Sequence, residues 1–403
     1  MRSSRLGAVA LLFVTGCSST VAGTATPGSA TPAAGPLTEV LGATELDAAV
    51  DGDLRVSDVA AAPDGGFVVL RTGDLGGDHR SAVVELVPGD GGLAVGTVTE
   101  GAPFADLGEV HVAPDGTVVA LAPVLPEPGD PGSGDGGREQ DLALAVLAPD
   151  EDEPELVRIA ADAELGTPDL GTGVLSPDGA TLVASLRWTV DGGTVNRLAA
   201  VDVATGEVTT SAPLAVETPG QAVATELALR PDGGLAALVR TDRDAEGDVD
   251  GAVLAQYDAD LQPLGTPVEL VDEEESTGYA LAVLADGSVL ASVLAGDLDT
   301  GEGRLVTVRD GAVSATTVLP GIGTDLAVAP GGTHAHLVHG RSGEGVGLAA
   351  VQLDTGEVVA DVELCPAGIP APLALAADGR TVAATVACEQ DESLYRALAV
   401  LLG

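Results

Sequence analysis

The stretch from Leu175 to Ser185, Leu-Ser-Pro-Asp-Gly-Ala-Thr-Leu-Val-Ala-Ser, contains a tight turn between two apolar segments. Pro177 presets the backbone for the first central position of the turn, Asp178 suits the second, and Gly179 closes it. This pattern predicts a hairpin that joins two strands. Similar turns recur along the chain at intervals of 45 to 63 residues, and their closing glycines are Gly65, Gly116, Gly179, Gly233, Gly287, Gly332 and Gly379.

A second turn follows the first within a unit, which predicts four strands per unit. Gly206 lies 27 residues after Gly179, and Gly356 lies 24 residues after Gly332. The strand after Gly179 is apolar on both faces, which indicates that both faces are covered. A repeat of this length with several strands is typical of a β-propeller. We therefore predict an all-β fold, a seven-bladed β-propeller of four-stranded antiparallel blades.

The two ends of the repeat region suggest how such a ring closes. The last unit ends at Gly403, where its second turn should fall, so it lacks a fourth strand. A spare strand, roughly Leu37 to Thr44, precedes the first unit. We predict that this N-terminal strand pairs with Tyr395 to Leu401 and completes the last blade, because an open ring would leave exposed edges.

The first 17 residues have the features of a targeting segment. Arg2 and Arg5 precede a short apolar run, and Val14-Thr15-Gly16-Cys17 follows directly. This motif resembles the lipobox of bacterial lipoproteins, in which the cysteine is acylated and becomes the mature N-terminus. The run is too short to span a bilayer. The alternative is an ordinary secretory signal in which Cys17 is incidental.

The resulting organisation has three parts. Residues 1–17 are a lipoprotein signal peptide, residues 18–36 are a tether rich in Ser, Thr, Ala, Pro and Gly, and residues 37–403 are the propeller. The repeated Pro-Asp-Gly turns, with Ser-Pro-Asp-Gly at residues 176–179, resemble those of the TolB-type and YVTN-type propellers of bacterial envelopes. That resemblance covers residues 37–403 and implies the fold, but this fold hosts many activities. The Trp-Asp signature of WD40 blades is absent, since Trp188 is the only tryptophan.

Composition restricts the possible partners. The formal net charge is −45, and all 17 basic residues are arginines. Such a surface repels nucleic acid and anionic lipid headgroups and favours cations or basic proteins. The alternative is a coding bias toward Ala, Gly, Val, Asp and Arg, with the acidity serving only solubility.

In an antiparallel blade, the two short turns, between the first and second strands and between the third and fourth strands, lie on one face of the predicted ring. The loops between the second and third strands, and between blades, share the more variable face, where a site is expected. Acidic residues occur there at Asp272 to Glu275 and, on a long insertion, at Asp130, Asp135 and Glu139. The few aromatic residues also fall toward this face, although chance would explain them equally well. They predict a partner-binding face that includes Trp188, Tyr279, Tyr395 and Phe104.

One local motif predicts a calcium site. Asp242, Asp244, Glu246 and Asp250 present oxygens at alternate positions around Gly247. The motif resembles the calcium loops of some propellers, but a valine replaces the bidentate glutamate of an EF-hand. The alternative is a solvated acidic hairpin loop.

His334 and His336 share one strand face and could begin a metal site. No third ligand is evident nearby, since His339 has the opposite parity, so a structural role is favoured. We also find no nucleophile elbow and no Cys-His pairing, and we assign no catalytic residue.

Cys365 and Cys388 predict a disulfide. Cys17 is assigned to the lipid, and the other two cysteines belong to a protein predicted to be exported to an oxidising compartment. The repeat places both at strand ends toward the variable face of neighbouring blades. The alternative is two buried free thiols.

These features predict a lipid-anchored protein at the extracytoplasmic face of the cell membrane. It would be a monomeric, non-catalytic binding or scaffold module whose acidic loops bind a protein or a cationic ligand, with calcium as its one candidate cofactor. The alternative is an envelope enzyme on the same fold, lactonase-like or a metal-assisted hydrolase. That alternative requires inward carboxylates that converge at one mouth of the central channel. A purely structural role is a third hypothesis.

Overall fold

A computed structural model describes most of the chain that follows the predicted tether, with several gaps. The described residues are 35–47, 55–75, 78–89, 92–101, 109–124, 141–149, 151–162, 164–166, 168, 170–190, 193–216, 222–242, 250–273, 275–341, 344–391 and 394–403. Cys17, the signal peptide and nearly all of the tether therefore lie outside the described residues. Within the described residues, no helix is long and apolar enough to cross a bilayer.

The described residues form β-strands joined by turns and loops. In chain order the strands are β1 Val40–Glu45, β2 Arg55–Ala61, β3 Phe67–Leu75, β4 Asp78–Gly89, β5 Gly92–Gly101, β6 Val110–Val112, β7 Val118–Val124, β8 Asp141–Leu147, β9 Glu155–Arg158, β10 Leu170–Leu175, β11 Thr181–Val190, β12 Gly193–Asp202, β13 Val208–Pro213, β14 Val223–Leu229, β15 Leu235–Asp242, β16 Asp250–Tyr257, β17 Val268–Glu269, β18 Ser276–Val283, β19 Val289–Ala295, β20 Glu302–Arg309, β21 Ala312–Val318, β22 Ile322–Val328, β23 His334–Gly340, β24 Glu344–Gln352, β25 Glu357–Leu375, β26 Val382–Asp391 and β27 Leu394–Leu402.

The strands assemble into antiparallel sheets of two sizes. Five sheets have four strands each and follow chain order: β2–β5, β6–β9, β10–β13, β14–β17 and β18–β21. The remaining strands form one seven-stranded sheet in the order β1-β27-β26-β25-β24-β23-β22. The predicted seven-bladed propeller of four-stranded blades is therefore wrong, since the structure contains five four-stranded blades and one larger sheet.

The 19-residue strand β25 explains the difference. The prediction placed a loop between two blades after Cys365, but the chain stays extended through this segment. Gly368 is paired with Glu344 on one side and with Cys388 on the other. Two ladders thus merge into one sheet, with register shifts where β25 changes partners.

The prediction required the N-terminal strand to complete a four-stranded blade, and the structure does not show this arrangement. β1 lies at the edge of the seven-stranded sheet, where Val40 is opposite Leu402 and Glu45 is opposite Leu398. Leu37 and Leu46, which flank β1, are buried. The edge strand itself therefore contributes backbone hydrogen bonds, and the two leucines that flank it contribute the buried apolar surface.

The sheets pack face to face, and the contacts return to the starting sheet. The first strand of each sheet contacts the first strand of the next, and β2 packs against β25 and β26 of the seven-stranded sheet. Apolar clusters fill the space between neighbouring sheets; in one of them Phe67 and Val84 pack with Ala383 and Leu401. Both faces of a strand such as β19 are consequently buried, as its continuous apolar sequence predicts.

The repeated turns are confirmed. All seven closing glycines have φ between +67° and +91°, the left-handed region in which a side chain would be strained. The aspartate before the glycine organises the turn; Asp178 Oδ1, for example, accepts hydrogen bonds from the Ser176 hydroxyl and from the Ala180 amide. Second turns are present too, since Gly206, Gly311 and Gly356 have φ of +70°, +75° and +70°.

The predicted disulfide between Cys365 and Cys388 is supported. The two Cα atoms are 5.9 Å apart, on β25 and β26, and the bond lies within an apolar cluster. One detail differs from the prediction, because both cysteines belong to the same seven-stranded sheet. The bond therefore joins neighbouring strands of one sheet.

Replacing both cysteines with serine should lower the free energy of unfolding by roughly 3 kcal/mol, because the bond closes a loop with a sequence separation of 23. Urea denaturation of the oxidised protein, the reduced protein and the double variant measures the effect. The reduced protein should unfold close to the variant. Two alkylatable thiols in denatured, unreduced protein would contradict the bond itself.

Candidate functional site

The innermost strands carry a set of buried carboxyl groups, which we call the acid belt. Its members are Asp58 on β2, Glu109 just before β6, Glu226 on β14 and Asp325 on β22, and each is at most 4% exposed. Each lies seven residues before the closing glycine of its own turn. Thr172, Ala280 and Pro372 occupy the same position in the other three repeats.

Three members of the acid belt, Asp58, Glu109 and Asp325, each join their inner strand to the next inner strand. Asp58 Oδ2 accepts a hydrogen bond of 2.7 Å from the Val110 amide of the following sheet. Glu109 Oε2 accepts one of 2.7 Å from the Gly173 amide, and its other oxygen accepts from the Thr172 hydroxyl. These buried carboxylates therefore act as clamps between neighbouring sheets.

A β-bulge directly precedes two of the acid-belt residues, Asp58 and Asp325. In β2 the register shifts between Val56 and Asp58, and in β22 it shifts between Gly323 and Asp325. The extra residue of a bulge disturbs the local ladder and re-aims the side chain that follows. The Oδ1 atom of Asp58 then accepts from the Val59 amide, so one carboxylate serves its own strand and the next.

Burial raises the pKa of the Asp58 carboxyl well above its usual value of 3.8, and the nearby charges of Glu109 and Asp325 raise it further. Hydrogen bonds from the Val110 and Val59 amides oppose this shift, since they favour the ionised form. The carboxyls of three sheets thus influence one another electrostatically. Among the described residues, no group of three or more His, Cys, Asp or Glu side chains is arranged to hold a metal ion.

A raised pKa at Asp58 gives a prediction for pH dependence. Between the ordinary pKa and the folded-state pKa, the folded protein binds more protons, so the contribution of Asp58 to stability falls as pH rises. The asparagine side chain in Asp58→Asn cannot titrate. The stability of Asp58→Asn relative to the parent protein should therefore increase as pH rises from about 5 to about 8.

Urea denaturation at several pH values tests this prediction. Glu275→Gln, at an exposed position, is the control and should show a nearly constant difference over the same range. A constant difference for Asp58→Asn would contradict the raised pKa.

The aromatic residues predicted to form a binding face lie in different environments. The Trp188 side chain is 3% exposed, and its Nε1 donates a hydrogen bond of 3.1 Å to the Gly166 carbonyl. It borders a pocket of about 290 Å³ that Asp162 and the first residues of β13 also line. Because the indole is buried, it offers little surface to a partner.

Tyr279 is half-buried and occupies the bulge of β18, on the inner strand of its sheet. Burial raises the pKa of Tyr279 to about 12, and the nearby Arg341 opposes that shift. The Tyr395 backbone pairs with Glu389, and Phe104 lies outside the described residues. The described residues therefore do not bring the four aromatics together into one surface.

The predicted calcium motif is described only at its two ends. Asp242 ends β15 and Asp250 begins β16, and the two residues are directly paired across the hairpin. Asp244 and Glu246 lie outside the described residues. The calcium site stays a prediction.

The histidines of β23 differ in environment. His334 is half-buried and its Nδ1 lies 3.1 Å from the Thr333 hydroxyl. His336 is fully buried, and burial lowers its pKa to about 4, so its imidazole is neutral at physiological pH. His339 instead bonds to Asp361 Oδ1 at 2.8 Å. The favoured structural role for the first two histidines is consistent with these positions.

One carboxylate of the acidic loop between β17 and β18 forms an ion pair within the protein, and two others are exposed. Asp272 and Glu275 are exposed, whereas Glu273 forms an ion pair of 2.6 Å with Arg304. The other predicted acidic residues, Asp130, Asp135 and Glu139, lie outside the described residues. Among the described residues of this loop, two exposed carboxylates therefore remain for a partner.

Solved structures with a similar fold are β-propellers. One is Kuenenia stuttgartiensis hydrazine synthase, with 14% identity and a TM-score of 0.57, covering 83% of this chain and 94% of that one. Another is a chain from the crystal structure of a mitotic checkpoint complex, with 14% identity and a TM-score of 0.55, covering 94% and 96%. This chain is a β-propeller.

At such low identity these likenesses establish the propeller fold alone. No family model matches the chain, and no curated protein matches it. The TolB-type or YVTN-type assignment and the lipoprotein assignment therefore stay predictions.

Sequence reasoning missed the acid belt, although a signal was present. An Asp or Glu stands seven residues before the turn glycine in four of the seven repeats, within otherwise apolar strands. Aligning the repeats column by column, rather than by their turns alone, would have revealed it.

Proposed function

We propose that this propeller is a lipid-anchored, extracytoplasmic binding or scaffold module that holds a cationic protein against its acidic surface. The observation that carries the proposal is the imbalance of charge, 62 acidic residues against 17 arginines. Several arginines are already paired with carboxylates, including Arg309 with Asp286 and Arg304 with Glu273 and Glu302. Most exposed carboxylates thus remain available, and their summed potential attracts basic partners.

The acid belt supports a structural role for the inner carboxylates. The enzyme alternative needs carboxylates that converge on a bound metal or substrate at the channel mouth. The oxygens of Asp58, Glu109 and Asp325 instead accept hydrogen bonds from backbone amides of their own and neighbouring strands. We therefore place the binding surface on the exposed acidic loops.

Binding to a small basic protein tests the proposal. Cytochrome c serves as the probe for immobilised residues 35–403, and its affinity should fall as salt screens the charges. Asp272→Asn with Glu275→Gln should weaken binding. The matched control, Asp152→Asn with Glu153→Gln, removes two exposed charges from the β8–β9 loop on the opposite face and should have little effect.

Absent or salt-independent binding would contradict the proposal. Equal weakening by both double variants would contradict the assignment to the loop that contains Asp272 and Glu275.

The anchor has its own test. In a bacterial host that acylates lipoproteins, the parent protein should fractionate with membranes and carry the mass of acyl chains on Cys17. Cys17→Ser should appear in the soluble extracytoplasmic fraction without that mass. A parent protein that lacks acyl chains, or a variant that stays with the membrane, would refute the anchor.

We also propose calcium binding by the β15–β16 loop. If Asp242, Asp244, Glu246 and Asp250 bind the ion, calcium at about one hundred times its Kd should stabilise the protein by about 2.7 kcal/mol. Asp244→Ala should abolish that gain, which thermal denaturation in calcium and in EDTA measures. A parent protein whose Tm is the same in both solutions would exclude the site.

A further inference from the structure

The outer strand β21, Ala312–Val318, is an exposed and uncharged sheet edge. Its sequence is Ala-Val-Ser-Ala-Thr-Thr-Val, and every residue except Thr317 is exposed. Val313 is 40% and Val318 55% exposed. Such edges are prone to pairing with other chains, and natural proteins usually block them with charges, prolines or bulges.

The other outer strands that the structure describes carry such protection. β9 is four residues long and includes Glu155 and Arg158, β13 ends in Pro213, and β17 has two residues. The first half of β25 carries Asp361 and Glu363. β5 packs beside β1, and β1 itself ends in a glutamate. Among these described edges, β21 alone is long, uncharged and free of proline, although it has a bulge at Ser314.

One side of β21 pairs with β20, for example Thr307 with Ala315 and Leu305 with Thr317. Among the described strands, none pairs with its other side. In an antiparallel ladder the backbone groups of alternate residues point to opposite sides. Beyond the bulge at Ser314 the ladder with β20 is regular from Ala315 to Val318, and the outward groups of this stretch can receive one more strand.

Acidic residues lie at both ends of this edge. Asp310, in the turn before β21, is exposed. At the other end, the Thr317 hydroxyl donates a hydrogen bond of 3.1 Å to the Gly356 carbonyl, which brings the turn with Asp354 and Glu357 close. Both of these carboxylates are exposed.

The arginines nearest to the two ends already have partners. Arg309 pairs with Asp286 at 3.2 Å, and Arg304 pairs with Glu273 at 2.6 Å and with Glu302 at 2.9 Å. The edge thus presents an uncharged centre between two acidic ends. An incoming strand with an uncharged centre and basic ends would complement it in both hydrogen bonding and charge.

We propose that β21 is a docking strand, and that an extended segment of a partner protein, uncharged and β-branched in its centre with Lys or Arg at its ends, adds to this edge. The proposal rests on the proposed function, because it adds a strand contact for the same cationic partner to the contacts made by the acidic loops. Main-chain hydrogen bonds would supply affinity, as in other cases of strand addition. The flanking acids would select basic ends.

The probe is a labelled synthetic peptide, Lys-Lys-Thr-Val-Thr-Val-Thr-Lys-Lys, with fluorescence anisotropy as the readout. Ala315→Lys should weaken its binding at least about tenfold, because an edge lysine blocks strand addition and repels the peptide. Val313→Lys is a second variant at the same edge. The matched control is Val359→Lys, which adds the same charge to the first half of β25. This variant should change the affinity less than about twofold.

Two further readouts separate strand addition from simple charge attraction. The peptide should slow amide hydrogen exchange at residues 312–318, and a peptide that is N-methylated at alternate positions should not bind. Equal binding by the N-methylated peptide, or protection elsewhere than β21, would overturn the proposal. A dimer of the parent protein that Ala315→Lys dissociates would show that a second copy occupies the edge, which also overturns it.

The outcome for β21 is distinguishable from that for the proposed function. If Ala315→Lys still binds cytochrome c in a salt-dependent manner while the peptide leaves β21 unprotected, the docking strand is wrong and the acidic binding module stands. If neither cationic probe binds the parent protein, the proposed function itself fails.

Discussion

Arg71→Met is expected to lower the free energy of unfolding by about 3–4 kcal/mol, because it removes the donor to the buried Leu46 carbonyl and the ion-pair partner of the half-buried Asp47. Arg71 is fully buried on β3. Its Nη1 donates to the Leu46 carbonyl and its Nη2 to Asp47 Oδ1, both at 2.7 Å. Asp47 Oδ2 in turn accepts from the Ala397 amide at 2.9 Å. One ion pair thus joins β3, the segment after β1, and β27.

Urea denaturation measures the loss, and the matched control is Arg309→Met. Arg309 and Asp286 form an ion pair at 3.2 Å, but both side chains are more than half exposed. Solvent screens that pair, so its loss should cost less than about 1 kcal/mol. Similar losses for the two variants would show that the buried ion pair has no special role.

Asp325→Ala is expected to cost about 3–5 kcal/mol, because it removes two buried charge-assisted hydrogen bonds and leaves a cavity. Asp325 Oδ1 accepts from the Leu326 amide and Oδ2 from the Leu373 amide, both at 2.7 Å. The second bond links β22 to the second half of β25. Without the Asp325 carboxylate, the Leu326 and Leu373 amides both lose these hydrogen bonds.

Asp325→Asn separates the hydrogen bonds from the charge. An asparagine keeps one acceptor oxygen, so its loss of stability should be clearly smaller than that of the alanine variant. Glu275→Ala, which removes an exposed carboxylate, serves as the control and should stay within about 0.5 kcal/mol of the parent. Equal losses for Asp325→Asn and Asp325→Ala would contradict a clamp that depends on hydrogen bonds.

Turn chemistry made the repeats predictable. Gly179 and its six counterparts need a left-handed backbone that few other residues tolerate, so the requirement is visible in the sequence. Continuous apolar strands such as β19 indicated burial on both faces, which requires sheets stacked on sheets. The pairing of Cys365 with Cys388 was predictable because these are the two cysteines not assigned to the lipid, and the repeat places both at strand ends toward the same face.

Features that depend on the whole assembly were not predictable in the same way. The segment after Cys365 contains three prolines and a glycine, typical of a loop, yet it remains extended and merges two ladders. Trp188 was assigned to a surface because it ends a strand, but the neighbouring sheet buries it. Whether the carboxylate of Asp58 is a surface charge or a clamp depends on an amide 52 residues away in sequence.

The interface between the β18–β21 sheet and the seven-stranded sheet, called the seam below, differs from the interfaces that an acid-belt carboxylate bridges, because position 280 is an alanine. Ala280 occupies the acid-belt position of the β18–β21 sheet, so no carboxylate from that position reaches β22. A hydrogen bond of 2.7 Å from the Ser292 hydroxyl to the Gly323 carbonyl spans this seam, together with apolar packing. Thermal fluctuations should therefore part this seam at a lower free energy than a clamped one. Since β21 belongs to the β18–β21 sheet, transient opening of this seam would determine the mobility of the docking strand.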